Sequence, residues 1–205
     1  MGKTVLPGMS LQTSGKFGGA IVFASWKGRP YIRQLVKPSN PKTDAQIGVR
    51  AGMKFLGPGW SALTAAQQAT FDAPAQAAQI TSFNVYSKVG QTNLGQDKGP
   101  QNEYSPAQVT LSSAVIDLAE SVSGKSVTLT WTDPAEAGQY SILVHLNGSA
   151  GFTLSRSNLR SVITQDKTSV TISGLKAGTY YAKLKYGSTS GDLGPVSNEV
   201  TITIT

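Results

Sequence analysis

The chain contains no cysteine. Disulfides, thiolate metal sites and cysteine nucleophiles are therefore excluded, and redox chemistry says nothing about its compartment. Histidine is nearly absent too: His145 is the only one. A zinc site of the usual His and Cys composition cannot be assembled from one imidazole. A Ser–His–Asp arrangement would have to be built around that single residue, and no serine–acid pattern accompanies it. Long apolar runs are missing as well. The longest, Ala20 to Ala24, is far short of a membrane span, and the first residues carry no apolar stretch of signal-peptide length. The expectation is a soluble protein made in the cytoplasm.

Acid is scarce in the first half. Residues 1–100 hold 11 basic and 3 acidic side chains, whereas residues 101–205 hold 7 and 8. The net charge of +7 thus comes wholly from the first half, a split expected when one half docks and the other is displayed. The three early acids, Asp44, Asp72 and Asp97, are too scattered for a paired-carboxylate site. Asp133, Glu136 and Asp192 fall in expected loops, but their spacing fits no calcium loop. Gly2-Lys3-Thr4 and Gly15-Lys16 both lack the glycine spacing of a phosphate loop. No cofactor, metal or catalytic residue is expected, and the chain reads as a non-enzyme.

What is present divides along the chain. Residues 1–19, rich in Gly, Ser and Thr, suggest an extended arm. "AIVFASWKGRPYIRQLVK" reads as two strands around a turn at Lys27-Gly28-Arg29-Pro30. Apolar residues fall on both of its faces, as expected if both are covered, by the domain's own helices or by a partner. Thr43 and Gln46 have capping-box spacing and open a helix from about Asp44 to Leu56, closed by Gly57-Pro58-Gly59. Thr64 and Gln67 repeat the spacing before a second helix. "SFNVYSKVGQTNL" forms a third. Residues 96–106, dense in Gly, Pro, Asn and Gln, read as a linker.

Beyond residue 107 the period changes to two. Val127, Leu129 and Trp131 alternate, as do Ile142, Val144 and Leu146, then Tyr180, Ala182 and Leu184, then Val200, Ile202 and Ile204. This pattern predicts a β-sandwich. His145 then points away from the sandwich interior, to solvent or to the sheet edge. Asn147-Gly148-Ser149 matches a glycosylation acceptor and reads as a hairpin turn.

"VTLTW", "SGLKAGTYY" and "GPVSNEVTITIT" resemble the fibronectin type III family over about residues 105–205. The resemblance implies that Trp131 is the core tryptophan and that Tyr180 or Tyr181 is the corner tyrosine, with a hydroxyl that bonds back to backbone. The family's Leu-to-Tyr spacing favours Tyr181. Strand parity favours Tyr180, because a one-residue slip would bury Lys183 and Lys185, and parity decides the expectation. The whole chain is expected to be α+β: an N-terminal β-hairpin with short helices (a docking domain over 20–95), followed by an all-β fibronectin type III or immunoglobulin-like sandwich over 107–205.

The hairpin concentrates Trp26, Lys27, Arg29, Tyr31, Arg33 and Lys37. Aromatics and arginine are the residues enriched at interface centres, so these six are the candidate partner-docking residues. Nucleic-acid binding, with the cations on phosphates and the rings stacking on bases, is the lesser reading. Trp26-Lys27-Gly28, Tyr31-Ile32-Arg33, Asn40-Pro41, Thr43, Gln46 and Arg50 resemble a module of uncharacterised tailed-bacteriophage virion proteins over about residues 15–95. That resemblance implies a virion location and a capsid decoration role. The partner would be the major capsid protein or another virion protein, with self-association as a further option and no membrane contact. A tail or fibre component whose sandwich binds a host surface is the alternative.

Overall fold

A computed structural model describes residues 3–4, 13–26, 29–37 and 39–205. The chain divides into two compact units, 1–41 and 42–205. The first is a four-stranded antiparallel meander of β1 (Lys3–Thr4), β2 (Thr13–Phe17), β3 (Ile21–Trp26) and β4 (Arg29–Gln34), paired in chain order. Residues expected to form an extended arm thus supply two of its strands. Trp26 pairs with Arg29, so β3 and β4 form the expected hairpin. Lys27 and Gly28, two of the four expected turn residues, lie outside the described residues.

The second unit opens with four helices: α1 (Asp44–Ala62), α2 (Ala65–Ala69), α3 (Asp72–Ala78) and α4 (Ser82–Gly95). Three starts are set by threonine caps. Thr43, Thr64 and Thr81 each accept a hydrogen bond from the backbone N–H three residues on, and Gln67 completes a capping box with Thr64. The expected end of α1 at Gly57-Pro58-Gly59 is wrong. The helix runs through Pro58 to Ala62. Burial explains this: Phe55, Leu56 and Gly59 face the core, and Trp60 packs edge-on against Phe71 and Phe83. Packing of this cluster outweighs the local cost of roughly 3 kcal/mol for an interior proline.

The sandwich follows, with β5 (Ile116–Ser123), β6 (Ser126–Thr132), β7 (Gln139–Asn147), β8 (Leu159–Thr164), β9 (Ser169–Ser173), β10 (Gly178–Ser188) and β11 (Val200–Ile204). One sheet has the order β5-β6-β9 and the other β11-β10-β7-β8, all antiparallel. The first, second and fifth strands thus face the other four, which is a fibronectin type III-like arrangement. The alternating residues fill its interior as expected: Val127, Leu129, Trp131, Ile142, Val144, Leu146, Ala182, Leu184 and Ile202 are all buried there. Tyr180 donates its hydroxyl to the Lys176 carbonyl at 3.1 Å, so parity identified the corner tyrosine correctly. The turn after β7 begins where expected, with the Asn147 side chain accepting from the Gly148 N–H.

Two boundaries differ from expectation. The helices do not form a docking domain with the hairpin; they share a unit with the sandwich. Their core joins Phe55, Leu56, Phe71, Val85, Tyr86 and Leu94 to Leu143, Leu159 and Val162 of β7 and β8. The β7–β8 half of that sheet is therefore covered on both faces, while Thr201 and Thr203 on the outer side of β11 stay exposed. The expected linker at 96–106 is a packed segment instead. Gln101 is buried, its side-chain amide donates to the Glu103 and Tyr104 carbonyls, and the Gly99 N–H donates to the Gly191 carbonyl. Its Gly and Pro content reports tight packing rather than freedom.

Candidate functional site

Register sorts the hairpin residues onto two faces. Val22 pairs with Arg33, Ala24 with Tyr31 and Lys16 with Val22, so Lys16, Tyr31 and Arg33 share one face of the meander. Phe23 pairs with Ile32 and Ile21 with Gln34, and these residues share the other. One face is cationic with an aromatic ring; the opposite face is mostly aliphatic and aromatic. The sequence reading placed apolar residues on both faces but did not separate the charge.

The six expected docking residues fare unequally. Tyr31 and Arg33 are exposed on the cationic face. Lys37 is exposed just beyond β4. Trp26 and Arg29 are placed as paired strand positions, and their side chains lie outside the description; Lys27 lies outside the described residues altogether. Lys16 was missed. It sits on β2, across β3 from β4, and only the pairing register reveals that it joins Arg33.

None of the described residues of unit 1–41 with a burial class is buried. Ile32 is 66% exposed and Val36 65%. The first 41 residues carry six cations (Lys3, Lys16, Lys27, Arg29, Arg33 and Lys37) and no acid. A sheet of this kind offers a solvated positive field on one side and uncovered apolar area on the other.

The other residues weighed for chemistry have structural roles. His145 faces away from the sandwich interior, as its parity requires, but it is not at the surface. It is 3% exposed beneath the helical layer, with Nδ1 at 2.7 Å from the Asn158 side-chain oxygen. Burial holds its pKa down to about 4, against the opposing effect of Asn158. Asp133 accepts from the Tyr186 hydroxyl, and Asp192 from Ser190. Glu136 accepts from the backbone N–H groups of Ser112 and Ser113, which hold its carboxyl below the usual range. Each carboxylate has its own hydrogen-bond partners, and no metal-ligating group forms among the described residues. Asp44 occupies the first turn of α1 as expected and pairs with Arg160 at 3.0 Å. No helix among the described residues is long and apolar enough to cross a membrane.

No family model and no curated protein matches this chain. Several solved structures are similar to it. The FN1–FN3 domains of chicken CNTN1 match at 15% identity and a TM-score of 0.42, over 48% of this chain and 34% of that one. The fn3 domain of human contactin 1 matches at 16% identity and a TM-score of 0.40, over 49% and 84%. The FN3 domain of human collagen XX matches at 22% identity and a TM-score of 0.36, over 48% and 99%. The chain thus spans about a third of the chicken structure, and each likeness covers just under half of this chain. The strand order of the two sheets places the C-terminal part of the chain among fibronectin type III-like sandwiches, and the helical layer on its outer face is an addition to that plan.

Proposed function

We propose that this chain is a structural protein of a tailed-phage virion, most simply a capsid decoration protein that docks through its basic N-terminal meander and displays the sandwich. A fibronectin type III-like sandwich suits protein interaction or binding, though fold alone does not choose among such roles. The observation that carries the reading is the composition and exposure of unit 1–41. It has six cations, no acid, and exposed apolar residues on a sheet with no buried described residue. A sheet face has to bury its apolar side against another layer to gain stability, and the charge selects an acidic protein surface. The resemblance of residues 15–95 to phage virion proteins supports the same reading and names the major capsid protein as the first partner to test. Binding only the assembled shell would stabilise it by linkage.

Purified protein mixed with undecorated capsids should co-sediment, and a variant lacking residues 1–41 should stay in the supernatant. Failure of the full chain to sediment at both low and physiological salt rejects the capsid role.

One observation favours a second reading. Tyr31, Arg33 and Lys16 share a face, and an aromatic ring among cations is also how single-stranded nucleic acid is held. Gel shifts at two salt concentrations decide. Phosphate contacts would give retardation that falls steeply with salt. The capsid reading predicts none.

A further inference from the structure

A groove of about 380 Å³ lies within unit 42–205, between the C-terminal half of α1 and the β8 and β9 strands. Its volume is in the range of ligand-binding clefts. Three features define its chemistry. The apolar lining comes from Phe55, Val162, Ile163 and Val170. The only ionisable side chains lining it are Lys54 and Lys167, both exposed. Lys167 also meets its neighbour Asp166 at 3.3 Å, an exposed contact of small energetic weight.

The third feature is backbone. Among the described residues β8 pairs only with β7 and β9 only with β6, so each is an edge strand of its sheet. Across the groove, Pro58 has no N–H to give the Lys54 carbonyl, its helical partner four residues back. Lys54 and Pro58 both line the groove, one helical turn apart. The interior proline therefore removes a main-chain bond at the groove wall itself.

We propose that this groove is a docking site for an extended acidic peptide segment of a partner protein. The segment lies between α1 and the β8 edge. Its backbone pairs with main-chain groups of that edge and of the Pro58 turn, as in strand addition. Its alternate apolar side chains rest on Val162 and Phe55, which share the α1 side of β8, and its carboxylates meet Lys54 and Lys167. Charge selects the occupant: a basic segment would face two like charges, and a neutral one would leave both lysines unused. Its described lining residues all belong to unit 42–205.

The test uses the full chain and a fluorescein-labelled octapeptide of alternating Glu and Val, with an alternating Lys and Val peptide as the opposite-charge control. Fluorescence polarisation should show the acidic peptide binding at least tenfold more tightly than the basic one. The double variant Lys54→Glu with Lys167→Glu should reverse that preference. Ala62→Trp, at an exposed lining position, should abolish binding by filling the groove while leaving the thermal transition in place. Amide chemical-shift changes should centre on β8. Equal affinity for the two peptides, an unchanged preference in the double variant, or shift changes confined to residues 1–41 would overturn the proposal.

Discussion

His145 shows how one buried group ties stability to pH. Its folded-state pKa of about 4 lies below its ordinary 6.5. Above pH 6.5 it is neutral in both states and costs nothing. As pH falls below 6.5 the unfolded chain takes up the proton first, so stability declines, and the decline levels off near pH 4. The charged groups around it are Asp97 and Lys98 after α4, Arg156, and Lys183 and Lys185 on β10. Asp97 favours the imidazolium and Lys185 opposes it. Urea titrations should show a loss of about 3 kcal/mol across that window. His145→Gln, which keeps a hydrogen-bonding group toward Asn158, should flatten this part of the profile. Tyr180 makes a simpler case. Tyr180→Phe removes one hydrogen bond to the Lys176 carbonyl and should lower stability by about 1 kcal/mol, read from the urea midpoint. The fibronectin type III resemblance narrowed the corner tyrosine to Tyr180 or Tyr181, and parity chose Tyr180. The environment of His145 was missed, because the parity used to orient it says which face a residue occupies and not whether that face is covered.

At the scale of elements, α1 is held close to its neighbours by glycine. A Cβ on Gly48 would run into the Arg156 carbonyl, and one on Gly52 would come within 2.6 Å of the Gln91 and Leu94 side chains. Gly57, in the same helix, has open space around the same position. Opposite outcomes follow for one chemical change. Gly57→Ala should stabilise by about 0.5–1 kcal/mol through helix propensity. Gly48→Ala gains the same propensity but must move backbone, and should be net destabilising by about 1–3 kcal/mol. Thermal melts of the two variants, run side by side, check both signs. The starts of α1 and α2 were legible because a threonine cap is a local device; α3 was not foreseen, since its N-cap Phe71 makes no side-chain bond. The end of α1 was not, because Pro58 and its glycines are local stop signals overruled by the aromatic cluster of Trp60, Phe71, Phe83 and Tyr86, which is assembled from α1, the junction of α2 with α3, and α4. Likewise the Ile142–Leu146 stretch is buried at every position. Its unbroken apolar run Ile142-Leu143-Val144 signals a strand covered on both faces.

At the scale of the molecule, composition announced two parts and placed the boundary in the wrong position. The charge split is real, yet the helices fall with the sandwich and not with the basic meander. A linker was inferred from Gly, Pro, Asn and Gln, which serve equally well in a packed segment whose turns are tight. Removing residues 1–41 should leave a unit of 164 residues, 42 through 205, with both hydrophobic cores intact. Its melting temperature should match the second-unit transition of the full chain within a few degrees, while the proposed capsid binding is lost. Cutting at the expected linker should do the reverse. Residues 107–205 alone would bare Leu143, Leu159 and Val162 of β7 and β8, and should bind a hydrophobic dye and aggregate. A sandwich that needs only its own two sheets is a bead: it has its own core, can fold by itself and can be moved between chains. A bead whose outer sheet is welded to a helical coat has lost that freedom: grafted elsewhere it must bring its coat along, and the two have to change in step, as one inheritance.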